Sequence, residues 1–393
     1  MSLLKSRFIE MFGDPIKNEK RWAQLTLNSV CDGIGDGLHG TPEYDDSGDF
    51  YFINGNNLIN GEIVITPSTK KVNEEVFKKY YRNISSNALL LSINGTLGKI
   101  AFYNNEAITL GKSACYINLK TFVNKYFVFE LMKTDHFLKY LEENSTKSTI
   151  KNVSLKTIRN FQLISPPENL QNDFISFSKK IDKSKFLLQQ ILKKLELLKK
   201  SRFIELFGST DLSLQKDDWV EIKNIGEVVS GSTPKTTNES YWGGENKWIT
   251  PAELSSNTYV ITKTDRYLTD EGVKSCSLRK LPKDTVLLTS RAPIGKVAIA
   301  GTEMYCNQGF KNIICNEKIR PKYLFYLLKN NVRYLEYLGR GATFKEISKS
   351  IVENVKIPLF PLQDQDRFIE FAEQIDKSKL IIQKALEDLV GKV

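Results

Sequence analysis

A chain of 393 residues is long enough for two or three domains, and a single hydrophobic core is not expected to serve all of it. Hydrophobic residues make up 41% and charged residues 26%, ordinary globular usage that excludes a disordered, collagenous or fibrous chain. The 56 Lys and Arg against 46 Asp and Glu give +10 at neutral pH, which favours a polyanionic partner with nucleic acid as first candidate.

The N-terminal segment 1–15 contains Lys5, Arg7 and Glu10, so it lacks the apolar core of a signal peptide. No 18-residue apolar run follows, and no membrane span is expected. Five cysteines without a C-x-x-C pair, with only two histidines, supply neither a disulfide framework nor a zinc spacing, as expected in a reducing cytoplasm. The segment SRFIEMFG, Ser6 to Gly13, recurs as SRFIELFG, Ser201 to Gly208, and IDKSK at Ile181 recurs at Ile375. Two copies of about 195 residues therefore account for nearly the whole chain, a duplication and not a short-period solenoid.

Residues 16–165 are expected to form the first domain, with strands at 88–92 and 99–103 and a helix near 124–144. Residues 166–210 carry the first long helix. Positions 174, 177, 181, 184, 188, 191, 195 and 198 are Phe, Phe, Ile, Ser, Leu, Ile, Leu and Leu, a coiled-coil seam on a 3-4 spacing with Ser184 as its one polar site. Pro166 and Pro167 stand before this helix and Gly208 is placed to stop it. Residues 211–360 repeat the scheme, with strands at 286–290 and 296–300 and a helix near 321–338. Residues 361–393 carry the second long helix, whose positions 368, 371, 375, 378, 382, 385 and 389 match the first layer by layer, Ser378 standing in for Ser184. The second copy stops at the equivalent of Lys199, and Leu3 to Phe12 matches Leu198 to Phe207. Because ten residues cannot sustain a helix alone in water, this segment is expected to dock and complete the second spacer helix. Both domains are expected to be α+β.

Catalytic motifs fail one after another. Gly35 to Gly40 fits G-x-G-x-x-G, but Thr41-Pro42 and an acidic loop follow where a dinucleotide site needs a helix. Glu106 to Ser113 resembles a phosphate loop with a carboxylate where the first glycine must cradle phosphate. Ser165-Pro166-Pro167-Glu168 lacks the amide and aromatic that hold an adenine amino group. Glu221-Ile222-Lys223 has no positioned upstream acid, and His39 and His136 have no triad partners.

What remains is polar chemistry on loops. The first domain offers His39, Thr41, Tyr44, Asn54, Asn56, Asn57, Lys70, Lys71, Asn94, Thr96, Lys99, Lys112 and Ser113. The second offers Ser232, Thr233, Lys235, Tyr241, Trp242, Ser290, Arg291, Lys296, Asn307, Gln308, Lys311, Arg340 and Lys345. Asn, Gln and Arg read base edges, while Lys, Ser and Thr hold phosphates. Lys99 and Lys296 occupy the same place in the two copies, each after a glycine, and fit either a shared phosphate contact or a tight turn. A charged face of the long helices, with Lys179, Lys180, Lys193, Glu196 and Glu373, is open to a partner.

The paired IDKSK helices, the SRFIE-FG joints, GSTPKTTNESYWGGENKWITP from Gly231, SRAPIGKVAIA from Ser290 and NQGFKN from Asn307 together resemble the specificity subunit of type I restriction-modification systems, over essentially the whole chain. The resemblance implies two pseudo-two-fold-related target-recognition domains separated by two long antiparallel coiled-coil helices. Each domain would read half of an asymmetric bipartite site in double-stranded DNA. It implies no catalysis and no cofactor in this chain. Two modification (methyltransferase) subunits using S-adenosylmethionine would methylate adenine, and restriction (translocase/endonuclease) subunits using ATP and Mg²⁺ would translocate and cut. A 40-residue spacer helix would be about 60 Å long, on the order of 18 base pairs. The alternative is a coiled-coil scaffold joining two ligand-binding domains without DNA specificity, which the net charge and Lys-rich loops disfavour.

Overall fold

The computed structural model describes residues 3–255, 258–291, 293–339 and 346–390. The chain divides into two compact units, residues 1–189 with 383–393, and residues 190–382.

In the first unit, strands Cys31–Asp36, Ala114–Leu119, Ala88–Ser92 and Ile100–Phe102 form an antiparallel sheet in that order. All five residues of Ala88–Ser92 are buried, because the strand is central and covered on both faces. A second sheet places Phe50–Ile53 between Lys71–Val72 and Ile108–Leu110, the last pairing parallel. The second unit repeats this plan. Gly226–Ser230, Lys311–Cys315, Val286–Leu288 and Val297–Ala300 stand in the same order, with the short Val260–Ile261 added at the edge, and Trp242–Ile249 lies between Arg266–Leu268 and Tyr305–Cys306.

The strand predicted at 88–92 is present with those bounds and the other three with trimmed ends, but each predicted helix is two helices. Residues 124–144 split into Lys125–Met132 and Asp135–Glu143 because Thr134 caps a new start, its hydroxyl accepting from the Phe137 amide. Residues 321–338 split into Pro321–Asn330 and Val332–Leu338 at Asn331. The Asn331 amide accepts from Leu212 N at 2.9 Å and donates to the carbonyls of Thr210 and Leu327.

The long helices run Glu168–Phe207 and Leu362–Val390. Each opens after proline, and Gln171 and Gln365 donate back to the carbonyls of Pro166 and Phe360 at 2.7 Å, occupying acceptors at the chain's entry. Gly208, at φ +65°, ends the first in the left-handed region, and Gly13, at φ +77°, ends the helix Leu3–Phe12 in the same way.

In the second unit, Phe203 meets the ring of Phe368, Lys199 pairs with Asp376 at 2.8 Å, and Glu196 pairs with Lys379. Falling numbers on one helix meet rising numbers on the other, so these segments are antiparallel. The seam is narrower than the 3-4 spacing predicts. Phe174, Ile181, Phe368 and Ile375 are buried, but Ile191 is 42% and Leu198 49% exposed. A straight helix drifts by about 20° per heptad from a strict seven-residue repeat, and by Lys199, Phe203 and Phe207 the buried stripe has moved to neighbouring positions.

In the first unit, the helix Leu3–Phe12 makes the contacts that the end of the long helix makes in the second. Phe8 and Phe12 meet Phe174 edge-on at 5.4 Å, and Phe12 meets Phe127. Their counterparts Phe203 and Phe207 meet Phe368 and Tyr323. Arg7 lies over Phe177 as Arg202 lies over Phe371. Lys20 donates to the carbonyls of Glu10 and Met11, and Trp22 Nε1 to that of Phe12, so the orphan carbonyls of the helix end are occupied.

Candidate DNA interface

The sequence candidates of the first domain collect on adjoining loops because the strands that carry them are neighbours. Leu38 bridges Gly111, Gly111 N donates to Ile53 O, Ile93 N donates to Ser113 O, and Asn94 lies opposite Asn152. Segments 38–44, 54–57, 94–96 and 111–113 are thereby joined. Asn54, Asn56, Asn94, Thr96 and Ser113 line a cavity of about 340 Å³ with Gly55 and Gly95. Ser113 Oγ donates to Asn54 Oδ1 at 2.8 Å and accepts from Gly55 N at 2.9 Å. A Cβ at Gly111 would lie 2.2 Å from Asn54 Oδ1, so only glycine lets that amide sit there.

His39, Thr41, Tyr44, Lys70, Asn56, Thr96 and Lys112 are exposed. His39 Nε2 is 2.7 Å from an Asp36 oxygen, Lys70 lies over the Tyr44 ring, and Lys71 over that of Tyr51. Asn57 departs from the expectation that it faces DNA. It is buried, its Oδ1 accepts from Asn54 N, and its amide donates to Val64 O, so it shapes the loop from inside.

The second domain has the same frame with other side chains. Thr250 and Glu253 close the capping box that Asn54 and Asn57 close in the first domain. Ser232 N donates to Cys306 O, Asn307 N donates to Ile249 O, and Thr233 pairs with Gln308. Lys235, Gln308 and Arg291 are exposed, and Tyr241 is half-buried. Trp242 donates to Lys235 O, meets Trp248 edge-on and has the Arg266 guanidinium 3.7 Å above its ring.

Ser290 and Lys311 depart from the expectation that they face DNA in the same way as Asn57. Both are buried, with Lys311 Nζ 3.4 Å from Ser290 Oγ and 3.2 Å from Glu346 Oε1. Glu346 also takes Arg291 Nε at 2.9 Å through Oε2. Burial alone would raise this carboxyl, but the hydrogen bonds and charges of Lys311 and Arg291 outweigh it and hold it below its ordinary range. The pairing of Glu346 with Arg291, 55 residues away, had no local signal in the sequence. Arg340 and Lys345 lie outside the described residues.

Lys99 and Lys296 do share a turn. Ser92 Oγ donates to Thr96 O and accepts from Lys99 N, while Thr289 Oγ1 donates to Pro293 O and accepts from Lys296 N. Gly98 and Gly295, at φ +80° and +83°, make the bend. Their ammonium groups differ. Lys296 Nζ donates to the Leu254 carbonyl, whereas the Lys99 side chain makes no hydrogen bond or ion pair among the described residues.

On the long helices, Lys180 and Lys193 are exposed and Lys179 lies over Tyr126. Glu196 is engaged by Lys379 and Glu373 by Lys322, so neither is a free charge. Ile191, Leu197, Leu198, Leu380 and Ile381 present apolar side chains to solvent. Among the described residues, no group of three or more His, Cys, Asp or Glu could hold a metal ion. Among them too, no helix is long and apolar enough to cross a membrane.

The two α+β domains share one plan and one loop frame, joined by a long helix, and carry different polar side chains on it. The family model for the type I restriction modification DNA specificity domain matches residues 19–200 and 216–390. The chain belongs to this family and is built as its specificity subunits are, two target-recognition domains joined by a long helix. The type I restriction enzyme MjaIX specificity subunit of Methanocaldococcus jannaschii is 42% identical over 201 residues, 48% of this chain and 46% of that protein, so the match spans about half of its length. The putative MjaX specificity subunit of the same organism is 26% identical over 357 residues, 80% of each chain. Among solved structures, a chain from work on complex assembly and conformational transition of the type I R-M system superposes with TM-score 0.62 at 19% identity, covering 93% of both chains. The S subunit from M. genitalium gives 0.52 at 15% identity, covering 94% of this chain and 93% of that one. At such identities the likeness is one of fold.

Proposed function

We propose that this chain is the DNA-reading subunit of a type I restriction-modification complex, in which each recognition domain takes one half of an asymmetric bipartite site in double-stranded DNA. The observation that carries this is the shared loop frame with unlike heads. The first domain lines its cavity with Asn54, Asn56, Asn94 and Thr96, whereas the second sets Arg291, Glu346 and Lys311 together. Two readers of different chemistry on one scaffold suit two different half-sites.

The chain itself is non-catalytic in this reading. Two modification subunits supply adenine methylation with S-adenosylmethionine, and restriction subunits supply ATP- and Mg²⁺-dependent translocation and cleavage. The exposed apolar side chains Ile191, Leu197, Leu198, Leu380 and Ile381, beside Lys193, support a helix face that such partners cover. Methylome sequencing of cells with and without the intact gene tests the proposal. A bipartite adenine motif that disappears with the gene is expected. An unchanged methylome, with no DNA retained by the chain and its modification partner at low salt, leaves the scaffold reading instead.

A further inference from the structure

We propose that Arg291 reads a guanine in the half-site taken by the second recognition domain, and that Glu346 and Lys311 are the positioning residues that aim it. This rests on the DNA-reading function proposed above and names the chemistry of one contact within it.

The backbone at Arg291 is fixed from both sides. Thr289 and Ser290 are fully buried, Ser290 N donates to Gly309 O, Ile347 N donates to Ser290 O, and Arg291 bridges Glu346. At Arg291 the chain emerges, with 48% of the side chain exposed. Its guanidinium is nevertheless held by one edge, since Nε donates to Glu346 Oε2 at 2.9 Å. Among the described residues its terminal amino groups make no hydrogen bond, and they carry four of the five N–H donors. Guanine presents O6 and N7 side by side in the major groove, the pair of acceptors that this fork matches.

The support behind the fork is costly, which argues that it is functional. Lys311 keeps only 8% of its side chain exposed, and a buried ammonium is tolerated only when paired and hydrogen-bonded. Its partner is the other oxygen of Glu346, at 3.2 Å. Each carboxylate oxygen thus has one cation, and a buried lysine fixes the glutamate that fixes the arginine. Such a chain suits a directional contact, because a first contact is only as precise as its supporting shell.

Two features separate a base contact from a phosphate contact. A carboxylate beside the fork repels a phosphate anion, whereas the edge of a base is neutral. A phosphate contact is also common to any DNA, so it gives no reason for the two domains to carry different residues at one place, as they carry lysine at both 99 and 296. The two domains keep the same serine or threonine fastener under the turn, but the matching positions in the first domain are Asn94 opposite Asn152, with Cys115 where Lys311 stands. The cluster belongs to what differs between the readers.

The test uses the full chain assembled with its modification partner and a randomised duplex library, with bound sequences read out. The wild-type complex is expected to require a G at one position of the second-domain half-site. Arg291→Ala should relax that position by about 5- to 150-fold, leaving the other positions and the salt slope in place. Arg291→Lys keeps the charge but not the fork and should lose the same preference. Glu346→Gln should weaken it with Arg291 intact. Thermal unfolding checks each fold, and the lysine variant decides if the others are destabilised. Retention of the G in Arg291→Ala and Arg291→Lys overturns the inference, as does a loss equal for all sequences with a salt slope lowered by about one, the mark of a phosphate contact. Absence of any sequence-selective binding by the wild-type complex overturns the functional reading, and this inference with it.

Discussion

The Ser178 hydroxyl, buried on the first long helix, donates a 2.9 Å hydrogen bond to Oε1 of Glu130, itself buried on the helix Lys125–Met132. Both carboxylate oxygens also accept from Lys133 at 3.1 Å. In the second unit the matching positions are Ala372 and Tyr326, and the polar link moves to Tyr326 and Asp376 at 3.1 Å. Ser178→Ala should lower stability by about 1–2 kcal/mol, since a charge-assisted bond is lost while the buried carboxylate remains. Denaturant unfolding measures it, and combining Ser178→Ala with Glu130→Met should recover part of the loss.

The N-terminal helix should matter out of proportion to its ten residues. Phe8 and Phe12 are both buried, and truncation of a buried phenylalanine costs about 3–5 kcal/mol. Phe8→Ala and Phe12→Ala should each open the first unit, seen as faster amide exchange in residues 125–132 and 168–181, with residues 321–330 unaffected. Equal loosening of both units would refute this.

Exchange of residues 219–354 for the matching segment of a related protein should change one half of the methylated motif and leave the other. Each recognition domain has its own core, and among the described residues no sheet mixes strands of the two. Methylome sequencing reads the result, and a change in both halves would count against separate readers.

Burial pushes the thiols of Cys31, Cys115, Cys306 and Cys315 up to about 12. At pH 8 the thiolate fraction of each is then roughly one in ten thousand, and the thiolate is the nucleophile. Raising the pH to 9 increases that fraction about tenfold and still leaves it negligible. A thiol reagent should therefore react rapidly only with Cys276 in the native protein, and with all five after unfolding. Rapid native labelling of Cys115 would show that the strand carrying it opens.

Lys99→Ala should weaken binding of the assembled complex similarly for specific and random DNA and lower the salt slope by about one. Lys296→Ala should not match it, because that ammonium is already bound to the Leu254 carbonyl. Salt titrations of both variants provide the comparison.

Identity between segments made the duplication legible, and apolar runs made Ala88–Ser92 and the long helices legible, because these depend on local pattern. Where a buried polar group decided the outcome, pattern was not enough. The break at Asn331 depends on Leu212 and Thr210, more than 100 residues away. Asn57, Ser290 and Lys311 have the composition of a binding surface, yet they are buried, with Val64, Gly309 and Glu346 as their partners. The seam failed at Ile191 and Leu198 for a geometric reason, since the drift between 3.5 and 3.6 residues accumulates along 40 residues. What composition did convey was the loops themselves, which neighbouring strands bring together.

The aromatic contacts of the helix ends also set a timetable. Phe8 must wait for Phe174, and Phe203 for Phe368, each separated by about 165 positions. At roughly 5–20 residues per second of synthesis, each pair of phenylalanines stays uncovered for on the order of ten to thirty seconds after leaving the ribosome. Closure over such a span is slow even when the end state is stable. The protein being made therefore displays the same sticky aromatic helix twice, and the interval before its partner emerges is when aggregation competes with folding.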